Sequence, residues 1–152
     1  MLPSTSARIA RTSRESDRLR VPRDSLDDPD RQSGDQGRHR PSAREVDALR
    51  AGIDRGDVVL TGLILQEILQ GFPSAERTRR LADHLAPFPL LALHRGDYLY
   101  AAEIRNKCRA KGVAISTVDA QIAAAAINHR STLLSADADF HAVARHFPLR
   151  IG

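Results

Sequence analysis

The stretch TLLSADADF, residues 132–140, decides how this sequence is interpreted. Its apolar start is typical of a buried strand, and Asp137 and Asp139 follow directly where that strand should end. Two carboxylates this close repel each other, so ionising both is unfavourable unless a cation lies between them. Open α/β sheets bind ligands outside the carboxyl ends of their strands. The pair therefore lies where a ligand site is expected.

Short apolar segments alternate with helical segments on both sides of this stretch. The segments DVVLT, LLAL, TLLSA and LRI are predicted as strands, and VAIS as a strand or a loop. Between them, LILQEILQG, AERTRRLADHLA, GDYLYAAEIRNKCRAKG, TVDAQIAAAAINHR and DFHAVARHF are predicted as helices. This alternation predicts a parallel sheet covered by helices on both faces, which is a three-layer α/β/α fold.

Capping residues mark several of the helix boundaries. The motif SARE forms a capping box, with Ser42 as the N-cap and Glu45 three residues later, and it opens a further helix. That helix is expected to end at Gly56, and a later one at Gly112. Ser74 is the expected N-cap of the helix AERTRRLADHLA.

The first part of the chain, residues 1–41, has a different composition. It contains nine Arg and seven Asp or Glu but no aromatic residue, and its apolar residues follow neither the strand nor the helix period. Such a segment buries too little apolar area to offset the entropy of ordering. We therefore predict a disordered segment at residues 1–41, or one that arises from a mistaken start site or reading frame. The globular domain is predicted at residues 42–152.

Composition excludes several classes of protein. The single Cys108 rules out an internal disulfide and a cysteine-rich zinc site. None of the six His lies in an HxxxH or HExxH motif, which argues against a site built from imidazoles. No apolar stretch is long enough to span a bilayer and the N-terminus lacks a secretory signal, so a cytoplasmic protein is expected. A net charge of +4 and a pI near 10.0 permit a polyanionic partner.

Four acidic residues are candidates for chemistry, and each has a structural alternative. Glu67 lies on the largely apolar helix LILQEILQG, where it could equally reach solvent. Asp119 lies in the first turn of an Ala-rich helix, where it could simply complement the helix dipole. Asp139 is a plausible N-cap of the next helix, so Asp137 is the stronger candidate. Ser135 could support the site by hydrogen bonding.

Together these acids offer oxygen ligands without any His or Cys. Carboxylate oxygens are the ligands that select Mg²⁺ or Mn²⁺. Such ions orient a phosphodiester, activate a water and stabilise the departing oxygen. The set of acids therefore points to metal-assisted phosphodiester chemistry, and a divalent cation would neutralise the two carboxylates of TLLSADADF.

The order LILQEILQG, STVDAQIAAAA and LLSADADF resembles a PIN domain, in particular the VapC-type toxins of bacterial toxin–antitoxin pairs. The resemblance covers roughly residues 42–152. It implies a three-layer α/β/α ribonuclease that hydrolyses RNA with Mg²⁺ or Mn²⁺. It also implies catalytic roles for Glu67, Asp119 and Asp137, which with Asp139 would hold the metal. The implied partners are the RNA substrate, a small antitoxin protein and a second copy of the chain.

The chain departs from the family pattern at its start. Members of the family begin with a central apolar strand that ends in Asp followed by Thr or Ser. Residues 1–41 do not show this sequence pattern. We therefore expect the domain to lack its first strand and to cleave RNA weakly or not at all. Two alternatives remain open. One is a degenerate PIN domain that only binds antitoxin or RNA, and the other is an unrelated doubly wound phosphotransfer domain.

Basic and aromatic residues offer candidate contacts to RNA. The basic residues cluster on two predicted helices: Arg77, Arg79 and Arg80 on one, and Arg105, Lys107, Arg109 and Lys111 on the other. They are expected to contact phosphates, or alternatively to form ordinary solvated helix faces. Tyr98 and Tyr100 could stack on bases, although two Tyr on a helix are more often packing residues.

Overall fold

The computed structural model describes residues 8–10 and 43–152. Apart from residues 8–10, the segment predicted to be disordered lies outside the described residues, and so does the predicted N-cap Ser42. Neither prediction is tested by the structure.

Strands and helices alternate along most of the described chain. The strands are β1 (Arg8–Ala10), β2 (Val58–Thr61), β3 (Leu90–Leu91), β4 (Thr132–Leu134) and β5 (Arg150–Ile151). The helices are α1 (Ala43–Arg55), α2 (Gly62–Gln70), α3 (Ala75–Leu85), α4 (Arg95–Ala110), α5 (Thr117–Asn128) and α6 (Ala138–Ala144). The strands predicted from DVVLT, LLAL, TLLSA and LRI are all present, and VAIS is a loop.

The five strands form one sheet in the order β3-β2-β1-β4-β5, and every neighbouring pair is parallel. β1 therefore occupies the centre, with Arg8 level with Val58 on one side and with Thr132 on the other. The expectation that the domain lacks its first strand is wrong. A three-residue strand that begins with Arg gives no apolar run in the sequence. The strand is held by main-chain hydrogen bonds to β2 and β4, and residues with any side chain except proline can form such bonds.

Helices cover both faces of the sheet, as the sequence predicted. Successive residues of a strand point to opposite faces, and Leu133 and Leu134 are both buried. Helix α5 lies closest to the core, and its run Ala123–Ala126 is entirely inaccessible to solvent. Small side chains let a helix approach its neighbours closely, so this run brings α5 against β4 and α4.

Several helix ends occur where the sequence placed them. Gly56 and Gly112 follow α1 and α4 with φ of 68° and 72°, the left-handed conformation that glycine adopts without strain. Ser74 is the N-cap of α3, and its Oγ accepts the N–H of Arg77 at 3.5 Å. No helix in the described part of the chain is long and apolar enough to cross a membrane.

A buried carboxylate joins the start of α4 to the end of α5. Asp97 is 3% exposed and accepts hydrogen bonds from the main-chain N–H of His94 and from Nδ2 of Asn128, both at 2.8 Å. Nε2 of His129 lies 3.6 Å from its Oδ2. Burial raises the pKa of Asp97, but these hydrogen bonds and the nearby imidazole together lower it below its usual 3.8. The ionised form of Asp97 therefore stabilises the α4–α5 pair.

We expect Ile9→Pro to destabilise the fold by about 3 kcal/mol or more, because proline removes an N–H from the middle of the central strand. Ile9→Val keeps the main-chain hydrogen bonds and should change the free energy of unfolding far less. Urea denaturation followed by circular dichroism measures both. If the two variants unfold alike, β1 does not contribute to the folded sheet.

Asp97→Asn should lower the free energy of unfolding by about 2 kcal/mol at pH 7, because charge-assisted hydrogen bonds are lost. The folded-state pKa of Asp97 is depressed, so its contribution is fully present above pH 3.8. It is lost as the pH falls through the lower folded-state value. The difference between wild type and variant should therefore shrink below about pH 4. A difference that is constant with pH would contradict this assignment.

Candidate functional site

The carboxyl ends of β1, β2 and β4 lie at one edge of the parallel sheet, which we call the carboxyl edge. Helices α2 and α6 begin there, since each follows its strand almost directly. The C-terminus of helix α5 leads through a short turn into the start of β4, so this end of the helix lies at the edge where β4 begins. A helix of 12 residues is about 18 Å long at 1.5 Å per residue. The N-terminus of α5 therefore lies at the carboxyl edge. The topology thus brings the starts of α2, α5 and α6 to one side.

Asp119 is held at the start of α5 by a reciprocal capping arrangement. Its side chain is buried, and Oγ of Ser116 donates to its Oδ2 at 2.6 Å. Its own main-chain N–H donates to the same Ser116 Oγ at 3.0 Å. In the preceding loop, Nε of Arg105 donates to the carbonyl oxygen of Ile115 at 3.4 Å. Asp119 is therefore a positioned, nearly buried carboxylate in the first turn of a helix, where the dipole favours its charge.

Asp137, rather than Asp139, is the N-cap of α6. Its Oδ1 accepts the main-chain N–H of Asp139 at 3.0 Å, and its own N–H donates to Oγ of Ser135 at 3.2 Å. The prediction that Asp139 caps this helix is wrong, because the helix begins at Ala138, so Asp139 lies in its first turn. The supporting hydrogen bond of Ser135 is present. Asp137 is half-buried and Asp139 is exposed.

Glu67 lies half-buried on α2, about 7.5 Å along the axis from its first residue. The start of that helix is fixed by Thr61, which ends β2 and is fully buried. Its Oγ1 accepts the N–H of Ile64 at 3.2 Å. Sequence reasoning did not single out Thr61, although a Thr between a strand and a helix is a good N-cap signal.

The described acids do not by themselves form a metal centre. Within residues 8–10 and 43–152, no three side chains of Asp, Glu, His or Cys lie close enough together to hold a metal ion. One oxygen of Asp119 is engaged by Ser116, and one oxygen of Asp137 caps α6. The donor set thus has the chemistry that Mg²⁺ prefers but lacks the required convergence.

The position of β1 shows which residues follow the central strand in the sequence. They are Arg11, Thr12 and Ser13, which themselves lie outside the described residues. The pattern expected there is Asp followed by Thr or Ser, so the hydroxyl residues match and the acid is replaced by Arg. Sequence reasoning missed this match because the Asp that normally marks it is absent. The dipeptide Thr12-Ser13 was the signal that could have revealed it.

Two of the seven basic residues proposed to contact RNA form ion pairs within their own helices. Arg80 pairs with Glu76 and Lys107 with Glu103, each at 2.5 Å and well exposed to solvent. Such pairs contribute little to stability, so they would still exchange for phosphate contacts. The contact to RNA remains a prediction.

Of the aromatic and cysteine residues of α4, Tyr100 has a packing role and Cys108 is shielded from solvent. Tyr100 packs edge-on against Phe147 with ring centroids 6.2 Å apart, whereas Tyr98 is half exposed. Cys108 is fully buried, and burial raises the pKa of its thiol, which argues against a nucleophilic role.

Comparison with known proteins identifies related sequences and folds. The family model described as PIN domain matches residues 36–146, which is more than half of the chain. The structure of FitAcB from Neisseria gonorrhoeae is 22% identical with a TM-score of 0.58, and the similarity covers 75% of this chain and 86% of that one. No curated protein sequence matches the chain.

Two further solved structures are similar, both of VapBC complexes with DNA. VapBC2 from Rickettsia felis, bound to a DNA fragment from its promoter, is 21% identical with a TM-score of 0.59, over 70% of this chain and 82% of that one. DNA-bound VapBC from Salmonella typhimurium is 16% identical with a TM-score of 0.59, over 71% and 83%. At these identities the likeness is one of fold.

Ser116→Ala should lower the free energy of unfolding by about 1–2 kcal/mol, because it removes the N-cap of α5 and a hydrogen bond to a buried carboxylate. Ser74→Ala is the matched control, since it removes an N-cap whose hydrogen bond is longer and more exposed. Urea denaturation at pH 7 compares the two. An effect of Ser116→Ala no larger than that of Ser74→Ala would mean that Ser116 does not stabilise Asp119.

Proposed function

This chain belongs to the PIN domain family, and from that premise we propose that it is the toxin-type component of a toxin–antitoxin pair. The motifs around Glu67, Asp119 and Asp137 support this proposal, since they occur in the order found in VapC-type toxins. The similarity in fold to two VapBC complexes supports it further. The proposed partners are a small antitoxin protein and a second copy of the chain, in the cytoplasm. A short reading frame for a small protein directly upstream would favour this assignment.

The proposed reaction is hydrolysis of RNA phosphodiesters with Mg²⁺ or Mn²⁺. The observation that supports this reaction is that three helices begin at the carboxyl edge and each carries an acidic residue. Glu67 comes from α2, Asp119 from the start of α5, and Asp137 from the start of α6. Acids from separate elements at the carboxyl edge of a parallel sheet are typical of a ligand site rather than of a solvated helix face.

The residues of the chain have distinct parts in this proposal. Ser116 orients the carboxylate of Asp119, and Ser135 supports the turn that presents Asp137. The first turns of α5 and α6 favour negative charge at both positions. A bound Mg²⁺ would supply orientation of the phosphodiester and activation of a water. The described acids do not complete a site for it, so a further ligand is required.

The sequence after β1 favours the second candidate, a PIN domain that binds but does not cut. In the family pattern the acid that follows the central strand is a ligand, and here that position is Arg11. A guanidinium is always protonated and has no acceptor, so it cannot coordinate a cation. We therefore expect RNA cleavage by this chain to be weak or absent, while binding of antitoxin or RNA is retained.

Cleavage by the wild-type chain separates the two candidates, and the substitution Arg11→Asp tests whether position 11 accounts for the difference. We expect this substitution to give Mg²⁺-dependent cleavage of a labelled RNA oligonucleotide that exceeds wild type by at least about tenfold, because it supplies the missing acidic ligand. Mg²⁺ should also raise the melting temperature of Arg11→Asp, and adding Asp119→Asn should abolish both effects. Arg14→Asp makes the same charge change nearby and is the matched control.

Two outcomes would contradict the nuclease assignment or its placement. If Arg11→Asp folds but neither cleaves RNA nor gains stability with Mg²⁺, the binding-only candidate is favoured. If the wild-type chain, which has Arg at position 11, already cleaves strongly with Mg²⁺, then an acidic residue at another position completes the metal site. Asp119→Asn in the wild-type background then shows whether the described acids take part at all.

A further inference from the structure

A second concave site lies at the amino edge of the sheet, where β4 and β5 begin. This hollow has a volume of about 530 Å³ and is lined by the end of α5, the end of α6 and the chain that leads into β5. Its walls include the side chains of Ile127, Phe147, Pro148 and Leu149. Because the strands are parallel, it lies at the opposite edge from the acids of the carboxyl edge. We call it the amino-edge hollow.

The only charged residues that line the amino-edge hollow, in the described part of the chain, are Arg130 and Arg150. Both side chains are exposed. A guanidinium N–H of Arg150 donates to the main-chain carbonyl oxygen of Arg130, which ties the two residues together across the start of β4 and β5. The hollow therefore combines apolar lining residues with two exposed arginines.

The backbone of Arg130 is a second observation that points to a role for its side chain. Its φ is 53°, in the left-handed region that glycine adopts without strain, and it is the one non-glycine residue with positive φ in the described chain. The sharp turn between α5 and β4 needs this conformation, and glycine would supply it without strain. Strained backbone at a non-glycine residue is common at functional sites, so the side chain of Arg130 is a candidate for a role outside the fold.

We propose that the amino-edge hollow is a docking site for an acidic peptide segment that carries one apolar side chain. The apolar side chain would pack against Ile127, Ala144 and Pro148, the apolar lining residues that are not buried. Flanking carboxylates would accept hydrogen bonds from Arg130 and Arg150, since guanidinium groups recognise carboxylates with two parallel N–H donors. No Asp or Glu lines the hollow among the described residues, and the acceptor recorded for the Arg150 guanidinium is the main-chain carbonyl oxygen of Arg130.

The composition of the amino-edge hollow favours a peptide over single-stranded RNA. Binding of single-stranded RNA relies on open aromatic faces on which bases stack. Phe147 is the aromatic residue of the described lining, but it is 8% exposed and its ring packs against Tyr100. Lys107 also lies over the Phe147 ring, 5.8 Å from its centroid. The ring therefore offers no platform for a base.

The experiment uses fluorescence anisotropy with the full chain and a labelled synthetic peptide, EDELDDE. Two control peptides replace its Leu with Ser, or all of its acids with Asn and Gln. We expect the wild-type chain to bind EDELDDE and to bind both control peptides at least about tenfold more weakly. These two losses test the apolar wall and the guanidinium pair separately.

Arg130→Gly is the decisive variant, because glycine relieves the strained backbone while the cation is removed. We expect it to weaken peptide binding by at least about tenfold and to leave the melting temperature unchanged or raised. Arg77→Ala removes an exposed Arg from α3 and is the matched control, which should bind the peptide like wild type. This combination cannot arise from misfolding.

Four results would overturn the proposal. The first is equal weakening by Arg130→Gly and Arg77→Ala, which would indicate diffuse attraction to a basic surface. The second is tighter binding of a labelled ten-nucleotide oligouridine that depends on Arg130, which would make the hollow an RNA site. The third is displacement of the peptide by excess unlabelled chain that carries Arg130→Gly, which would make a second copy of the chain the occupant. Absence of binding by the wild-type chain also refutes it.

Discussion

The sheet depends on the hydrogen bonds that β1 makes on both of its sides. With Arg8 level with Val58 and with Thr132, three residues hold together two halves of the domain that are far apart in the sequence. Without β1, the facing edges of β2 and β4 would each present unpaired N–H and C=O groups inside the sheet. The parallel direction of β1 also sets which edge receives the starts of α2, α5 and α6. The candidate functional site is thus a consequence of this central pairing.

Helix α5 connects that constraint to the site. Its fully buried alanines bring it close to its neighbours, and its position fixes where Asp119 lies. The hydrogen bonds with Ser116 then determine the orientation of that carboxylate. At its other end, Asn128 and His129 contact the buried carboxylate of Asp97, which keeps α4 in place. One helix therefore supports acidic groups at both of its ends, and only the Asp119 end belongs to the carboxyl edge.

The two edges of the sheet have opposite chemistry. The carboxyl edge carries Asp119, Asp137 and Asp139 at helix starts, whereas the amino edge carries Arg130 and Arg150 beside an apolar hollow. At the starts of α5 and α6 the helix dipole favours negative charge, which supports this separation. The separation allows a cationic or phosphate-linked ligand at one edge and an acidic one at the other, with little interference between them.

The sequence by itself determined the fold class, most element positions and the acids of the candidate site, because hydrophobic period, caps and motif order are local signals. Gly56, Gly112, Ser74 and the Ala-rich run were interpreted correctly on that basis. Only the tertiary structure decided that residues 8–10 form the central strand. Main-chain hydrogen bonding does not require particular side chains, so it cannot be recognised from composition. That placement is the basis of the proposal that Arg11 stands at the family's acidic position. The choice of Asp137 as the cap of α6 and the hollow beside Arg130 also needed three-dimensional packing, since each depends on where neighbouring elements end.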